Sequence, residues 1–167
     1  MHYVGTVNVV PNTMHYVGTV TVVPNTHSYT LQFDGASSGN PGPAGAGAVL
    51  LSENGTVLYR FREGLGYQTN NVAEYRALIL GLKQAIRKGC MNITIQGDSQ
   101  LVINQFQGSW KINNAHLRNL CDEALELKNS LRSFRIQYIP REYNTEADAQ
   151  ANRAINLRDG QVEEDRL

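Results

Sequence analysis

Apolar residues recur with two periods along this chain, and the changes of period mark the predicted elements. Alternating apolar residues predict strands at SYTLQFDG, AGAVLLS, TVLYRFR, NITIQGD and SFRIQYIP. Spacings of three and four predict helices at residues 69–89, 99–106, about 115–131 and about 144–157, with EGLGYQT as a loop before the first helix. This order predicts an α/β fold. Its mixed five-stranded sheet has three antiparallel strands, then two parallel strands, and is flanked by helices.

The helix at residues 69–89 carries an acidic residue on its apolar stripe. Steps of three and four from Glu74 reach small or apolar residues at 77, 78, 81, 82 and 85. Burying a carboxylate costs several kcal/mol unless a counter-charge or a cation meets it. Glu74 is therefore a candidate ligand. We expect Asn70 or Asn71 to cap this helix and Gly89 to follow its end.

Three other acidic residues lie where the predicted fold could bring them to Glu74. Asp34 and Asp98 each end a predicted strand, and parallel neighbouring strands would place them ~4.8 Å apart at one edge of the sheet. Asp148 lies in the last helix among three alanines between residues 147 and 151, which would allow close helix–sheet packing. Each acid alone could be a cap or a surface charge, but together they favour one site.

A cluster of carboxylates has a defined chemistry. The charges repel each other and raise the pKa values of the group unless a cation is bound. Ligation by oxygen alone suits hard cations such as Mg²⁺. Two such ions on one carboxylate cluster support the hydrolysis of a phosphodiester, because one prepares the water and the other stabilises the leaving oxygen.

The first 26 residues are a tandem repeat of 13 residues, MHYVGTVNVVPNT followed by MHYVGTVTVVPNT. Alternation predicts a strand in each copy, ended by Pro-Asn-Thr. We expect this segment to be flexible and dispensable, with an edge strand or a partner contact as the alternative. Residues 27–160 form the predicted globular domain, and residues 161–167 form an acidic tail that we expect to be solvated.

Composition narrows the function classes. The chain has 167 residues, 41% of them hydrophobic, which suits one domain, and its fifteen basic and fifteen acidic residues cancel. A net charge of zero argues against a protein that binds nucleic acid by charge alone, but an acidic site can offset basic residues elsewhere.

Cys90 and Cys121 lack metal-type spacing, so we expect packed, reduced thiols and an intracellular protein. No apolar run approaches the ~18 residues of a membrane helix, so no membrane is expected as a partner.

Four segments, FDGASSGNPGPAGAGAVL, TNNVAEYRALILGL, GDSQLVINQ and REYNTEADAQAN, together resemble the acidic motifs of the ribonuclease H family. The resemblance spans roughly residues 28–160 and is to a type 1-like, shorter subgroup. It implies the ribonuclease H-like fold and endonucleolytic, metal-dependent hydrolysis of the RNA strand of RNA–DNA hybrids, leaving 3′-hydroxyl and 5′-phosphate ends. We expect the protein to act on such hybrids as a monomer.

The resemblance also implies residue roles. Asp34, Glu74, Asp98 and Asp148 match the carboxylates that hold two Mg²⁺ ions, for which Mn²⁺ is a plausible substitute. Asp34 and Asp98 would hold both ions or the more central one. Glu74 would lie near the scissile phosphate on the side of the attacking water, and Asp148 would hold the ion on the nucleophile side.

Five further residues match substrate contacts in that family. Thr69 matches a residue that helps to hold a phosphate of the DNA strand. Amide side chains match positions that meet the RNA minor groove near 2′-hydroxyls, where a group that both donates and accepts hydrogen bonds is required. These are Asn40, Asn70, Asn71 and Gln100. Turn and cap chemistry is the alternative role for the three asparagines.

The sequence departs from the family pattern at three places. Many members carry a histidine in the loop before the last acid, but here that loop reads PREYN, so Arg141 or Glu142 would have to substitute. Ser38 stands where a lysine is common. The long basic, Trp-rich segment between the middle helices is absent, and we therefore expect modest, salt-sensitive affinity for the hybrid.

Two other functions stay open from the sequence. A hybrid-binding module without catalysis would keep the fold and the amide residues, but the four intact acids argue against it. Another nuclease on the same fold is the second alternative, and the TNN and DSQ segments argue for hybrid recognition instead.

Overall fold

The computed structural model describes residues 3–9, 16–22 and 27–167. In chain order, the elements within these ranges are β1 (Tyr3–Val9), β2 (Tyr16–Val22), β3 (Tyr29–Ser37), β4 (Gly42–Leu51), β5 (Val57–Gln68), α1 (Asn70–Arg87), β6 (Asn92–Gly97), α2 (Gln100–Phe106), α3 (Ala115–Lys128), β7 (Ser133–Tyr138), α4 (Thr145–Ala154) and β8 (Val162–Arg166). A 3-10 turn, Arg141–Tyr143, precedes α4.

The main sheet has six strands in the order β7-β6-β3-β4-β5-β8. The central strand β3 runs antiparallel to β4 and parallel to β6, so that Phe33 lies opposite both Ala48 and Gly97. Its alternating residues Leu31 and Phe33 are fully buried, because successive side chains point to opposite faces and one face meets α1. The expected α/β fold is confirmed, whereas the expected count of five strands is wrong.

The sixth strand comes from the acidic C-terminal segment, for which a solvated tail was the wrong prediction. Val162–Arg166 pairs antiparallel with β5. The reason is a buried cation: Arg62 is only 6% exposed. Its Nε donates to Glu163 at 2.9 Å, and its two terminal nitrogens donate to Asp165 at 3.0 and 3.1 Å. The acids that suggested a solvated tail instead neutralise a charge in the sheet.

Two boundaries also differ from the sequence prediction. β3 continues past Asp34 to Ser37, and all but the last residue of the predicted loop EGLGYQT forms the second half of β5. Both extensions follow from pairing with the long strand β4, whose first residues Gly42 and Pro43 lie opposite Gln68 and Tyr67. Tertiary pairing therefore overrides a glycine-rich segment that has weak strand propensity by itself.

Helix α4 lies unusually close to the sheet, as the alanines suggested. A side chain at Gly47 would place its Cβ 2.4 Å from the nitrogen of Ala151 and 2.5 Å from the carbonyl oxygen of Ala147. Ala147 and Ala151 are fully buried, but Ala149 is exposed and takes no part. The helix therefore rests on the backbone of β4, which brings Asp148 to the edge of the sheet.

The N-terminal repeat forms a separate two-stranded sheet, in which β1 and β2 pair antiparallel from Tyr3 opposite Val22 to Val9 opposite Tyr16. The expected strands are confirmed, while both Pro-Asn-Thr segments lie outside the described residues.

Cys90 and Cys121 are free and buried. Among the described residues, none of the helices is long and apolar enough to cross a membrane.

The ion pair between Arg62 and the last strand makes a prediction about stability. Substituting Asp165→Asn removes the carboxylate that takes two guanidinium bonds and leaves a buried cation partly uncompensated. We expect a loss of roughly 1–3 kcal/mol in the free energy of unfolding, measured by urea denaturation.

Asp122→Asn is the matched control, because Asp122 pairs with Arg118 on the exposed face of α3 at 3.7 Å. The free energy of unfolding of this variant should fall by less than about 0.5 kcal/mol. Equal losses in the two variants would contradict a special role for the Arg62 pair.

Candidate active site

Three carboxylates converge where β3 and β6 meet the start of α1. Asp34 lies in β3, Asp98 directly follows Gly97 at the end of β6, and Glu74 lies in the second turn of α1. One carboxylate oxygen from each lies within 4.8 Å of those of the other two. The parallel register, with Phe33 opposite Gly97, puts the two aspartates at one edge. The near contact of α1 with Gly35, whose Cβ would lie 2.2 Å from the carbonyl carbon of Ala73, brings in Glu74.

Asp148 lies at the same cavity without joining that tight group. It lies in the first turn of α4 and lines a cavity of about 430 Å³ together with Asp34, Glu74 and Asp98. Its carboxylate is 3.9 Å from a terminal nitrogen of Arg141, whose side chain is 80% exposed. The structure therefore brings all four predicted acids to one cavity, with oxygen atoms of three within 4.8 Å of one another and the fourth acid beside a cation.

The surroundings of Asp34, Glu74 and Asp98 disfavour the charged forms of their carboxyl groups. Burial raises the pKa of Asp34 from its ordinary 3.8 to about 7, and the neighbouring Asp98 contributes. Burial also raises the pKa of Glu74 well above its usual range, with the charge of Asp34 as the second cause. The pKa of Asp98 is raised by burial as well, although Asn144 and Arg141 act to lower it. The cluster is thus protonated more readily than separate carboxyl groups are.

The residues present fit a divalent cation. Oε2 of Glu74 is buried and has no hydrogen-bond partner among the described residues, so a carboxylate oxygen is left without compensation. The three clustered ligands supply only oxygen atoms, the donor set of hard cations such as Mg²⁺. A bound cation would remove both the unpaired acceptor and the repulsion that raises the pKa values.

The start of α1 combines helix capping with the predicted substrate contacts. Thr69, and not Asn70 or Asn71, is the N-cap, and its hydroxyl accepts a hydrogen bond from the backbone N–H of Val72 at 3.2 Å. The capping prediction was therefore wrong by one or two residues. The Asn40 side chain accepts from the backbone N–H of Asn70 at 3.1 Å, which ties the loop between β3 and β4 to the helix.

The exposed amides have room to meet a ligand. Asn70 lines the cavity with the acids, and Asn71 and Gln100 are exposed at the first turns of α1 and α2. Thr69 and Asn40 are exposed too, although the side chain of each already accepts a hydrogen bond from one backbone N–H. Their roles in substrate binding stay predictions.

Asn144 is a residue of the site that the sequence reasoning missed. It is fully buried, and its Nδ2 donates to the carbonyl oxygen of Phe33, the neighbour of Asp34, at 2.9 Å. Its backbone N–H donates to Arg141, and its carbonyl accepts from the N–H of Asp148, both at 3.0 Å. One residue thus joins β3, the 3-10 turn and α4.

The sequence offered a misleading signal for Asn144. An asparagine directly before a helix predicts an N-cap, but its side chain makes no capping hydrogen bond. Burial instead directs the amide to the sheet. Two other side chains at the cavity, Tyr138 and Asn152, had no distinguishing signal in the sequence.

The raised pKa values predict how stability depends on pH without metal. The pKa of Asp34 is about 7 in the folded protein and 3.8 as its ordinary value, so the folded state holds a proton that the unfolded state releases. This contribution to stability is fully present below about pH 4 and is lost as the pH rises through about 7. We expect the metal-free melting temperature to be several degrees lower at pH 8 than at pH 5, by calorimetry.

Added Mg²⁺ should recover most of that loss at pH 8, because a cation compensates the ionised group. Asp34→Asn is the matched variant, since it keeps the shape but removes the titrating group, and its melting temperature should depend less on pH and on Mg²⁺. Identical pH dependence in the two proteins would overturn this account of the cluster.

Asn144→Ala should weaken the binding of Mg²⁺ by roughly tenfold or more, because partners behind the ligands fix their positions. Isothermal titration calorimetry measures this directly. Asn156→Ala, an exposed asparagine just after α4, is the control and should bind Mg²⁺ as the unaltered protein does. An Asn144→Ala protein that melts cooperatively and binds Mg²⁺ normally would contradict the role.

The chain is similar to known proteins over most of its length. The family model described as "Reverse transcriptase-like" matches residues 32–154. A bifunctional protein of Mycobacterium tuberculosis is 42% identical over 127 residues, which is 75% of this chain and 35% of that protein. The chain thus spans about a third of the length of this curated relative.

Two solved structures share the fold. RNase H1 from the archaeon Halobacterium salinarum superposes with a TM-score of 0.75 at 43% identity, covering 77% of this chain and 98% of that one. LC11-RNase H1, isolated from compost and crystallised with an RNA/DNA hybrid, gives a TM-score of 0.73 at 34% identity, covering 77% and 96%. With most of its length matched in both sequence and fold, the chain belongs to the ribonuclease H family.

Proposed function

We propose that this protein is an endonuclease that hydrolyses the RNA strand of RNA–DNA hybrids and leaves 3′-hydroxyl and 5′-phosphate ends. The observation that carries the proposal is the convergence of Asp34, Glu74 and Asp98, with Asp148 beside them, in one cavity at the edge of the sheet. A cluster of buried acids with an unpaired oxygen destabilises a protein, so its presence calls for a ligand. On the fold of this family, hydrolysis of a phosphodiester explains it.

The four carboxylates would hold two divalent cations, Mg²⁺ or in its place Mn²⁺. When bound, such ions supply a polarised water and stabilise the charge on the leaving oxygen. The chain's own contribution is position: β3 and β6 fix Asp34 and Asp98, while α1 and α4 present Glu74 and Asp148. Asn144 joins two of these elements behind the ligands.

Arg141 supplies the positive charge at the rim of the cavity. Its guanidinium is exposed and lies near Asp148, where it can meet a phosphate of the substrate by charge-assisted hydrogen bonds. A guanidinium presents several N–H donors in a fixed fork and has no acceptor atom. It would therefore hold and orient a phosphate instead of moving a proton, which a histidine in this loop could do.

Recognition of the hybrid would come from the amides around the cavity. Asn40, Asn70, Asn71 and Gln100 can donate and accept at a 2′-hydroxyl, the group that distinguishes RNA from DNA, and Thr69 would hold a phosphate of the DNA strand. Support comes from the exposure of these residues, from the position of Asn70 at the cavity and from a relative that was crystallised with an RNA/DNA hybrid.

We further propose that residues 27–160 carry this function and that the protein acts as a monomer. Every candidate site residue and the family match at residues 32–154 fall inside that range. A single chain also supplies all four carboxylates, so a second copy is not needed to complete the site.

The test is cleavage of a labelled RNA–DNA hybrid with Mg²⁺. Asp98→Asn should lower the turnover rate by about a hundredfold or more, and chelation of the metal should abolish cleavage. Asp122→Asn, an acid exposed on α3, is the control and should cleave as the unaltered protein does.

Parallel substrates separate the alternatives. Cleavage of single-stranded RNA or duplex DNA as fast as the hybrid would indicate another nuclease of this fold. Tight binding of the hybrid without turnover that depends on Mg²⁺ would indicate a binding module and would refute the proposed activity.

A further inference from the structure

Positive charge is concentrated in one part of a chain that is neutral as a whole. Between Glu126 and Glu142 the sequence contains four basic residues and no acidic one, whereas the full chain has fifteen of each. The four are Lys128, Arg132, Arg135 and Arg141. This segment comprises the end of α3, the edge strand β7 and the turn that leads to the catalytic cavity.

Three of these cations lack an acidic partner. Among the described residues, no carboxylate lies within 4.0 Å of Lys128, Arg132 or Arg135, whereas Arg60 and Arg62 are each paired. Arg132 and Arg135 are exposed and Lys128 is half-buried. Unpaired cations on one edge of the sheet form a surface that is complementary to a phosphodiester backbone.

Two aromatic residues lie on the face of β7 opposite to that of Arg135, which alternates with them along the strand. Phe134 and Tyr138 are 38% and 44% exposed, and they lie on the same face of β7 because they are four residues apart in a strand. Phe134 packs edge-to-face against Phe106 at 6.1 Å, and the ammonium group of Lys128 lies 4.9 Å from the centre of its ring. A groove of about 400 Å³ is lined by Phe106, Lys128 and Phe134 together with Arg135 and Ile136.

We call the basic and aromatic surface from Lys128 to Tyr138 the strip, and it is continuous with the candidate active site. Tyr138, at the far end of β7, lines the cavity that holds the four acids and lies opposite Gly97, the residue before Asp98. At ~3.3 Å per residue, the distance from Phe134 to Tyr138 is ~13 Å. A strand that leaves the cavity along β7 would therefore meet a second aromatic ring and two or more cations within a few nucleotides.

We propose that β7 and its flanks bind single-stranded nucleic acid that continues from the hybrid in the catalytic cavity. Bases would stack on Phe134 and Tyr138, and phosphates would meet Lys128, Arg132 and, across the exposed edge of the strand, Arg135. This inference rests on the proposed function. An unpaired strand fits better than a duplex, because exposed aromatic rings stack on bases whose faces are free. Base pairs in a continuous helix present no such faces to a protein surface.

The test compares a blunt RNA–DNA hybrid with the same hybrid carrying a single-stranded RNA or DNA tail at either end. All proteins carry Asp98→Asn to prevent cleavage, and binding is measured by fluorescence anisotropy. We expect one of the tails to tighten binding by about tenfold. Comparison of the RNA and DNA tails identifies the strand that lies on β7. The absence of a gain with any tail would overturn the proposal.

Two variants locate the gain. The double substitution Arg132→Ser and Arg135→Ser should remove most of it and make the dependence of log K on log salt shallower by about 1.4, the value for two single-strand phosphates. Phe134→Leu keeps an apolar side chain against Phe106 but removes the stacking surface, and should lower the gain severalfold with little change in melting temperature.

The control is a double substitution with the same change of charge, Lys83→Ser and Arg87→Ser. Both residues are exposed on α1, and at 1.5 Å per residue they lie ~14–20 Å along the helix from Glu74. This protein should keep the full gain from the tail. An equal loss in the control and in the β7 variant would show that only net charge matters and would refute a site on β7.

Cleavage of the blunt hybrid by the unaltered protein separates this inference from the proposed function. Cleavage without any gain from a tail rejects the strip alone. Failure to cleave any hybrid rejects the catalytic proposal, and a tail-dependent gain in binding would then still support the strip as a nucleic-acid surface.

Discussion

The close contact between helices and the glycines of the central strands is the constraint on which this structure depends. Any side chain at Gly35 would overlap the backbone of α1, and one at Gly47 would overlap the backbone of α4. Because these positions have no Cβ, both helices rest directly on the sheet. Glu74 and Asp148 therefore reach the strand edge that already carries Asp34 and Asp98. A methyl group at either glycine would push its helix away from the sheet and move its acid away from the other carboxylates.

The proximity of the acids lowers the stability of the folded protein, and the packing of the rest of the domain offsets this loss. Burial raises the pKa values of Asp34, Glu74 and Asp98, so the folded chain without metal holds the acids in an unfavourable state. A core of fully buried side chains, with Leu31, Phe33 and Tyr75 among them, offsets the cost. Natural domains are stable by only about 5–15 kcal/mol, so the buried acids use a sizeable part of that stability. A ligand that binds only the folded state would restore it.

Charge elsewhere is arranged to complement the site. The acids of β8 pair with Arg62 and Lys88, while the opposite edge strand, β7, lies within the acid-free segment from residue 127 to 141. Net neutrality therefore conceals an acidic cavity beside a basic edge. A net charge of zero therefore does not prevent local attraction of a polyanion, because the local electrostatic field decides where phosphates approach.

The sequence by itself determined the periodic elements, the α/β class and the acids at strand ends, since these depend on local spacing that each segment carries within itself. It also pointed to Glu74, because a carboxylate on an apolar stripe is visible in a helical pattern. Only the tertiary structure decided that β5 continues through a glycine-rich segment, that the acidic C-terminus becomes β8, and that Asn144 turns from its helix to the carbonyl of Phe33. Each of these depends on a partner that is distant in the chain, namely β4, Arg62 and β3. Local propensity cannot encode such a partner, because the stabilising contact exists only after the sheet has formed.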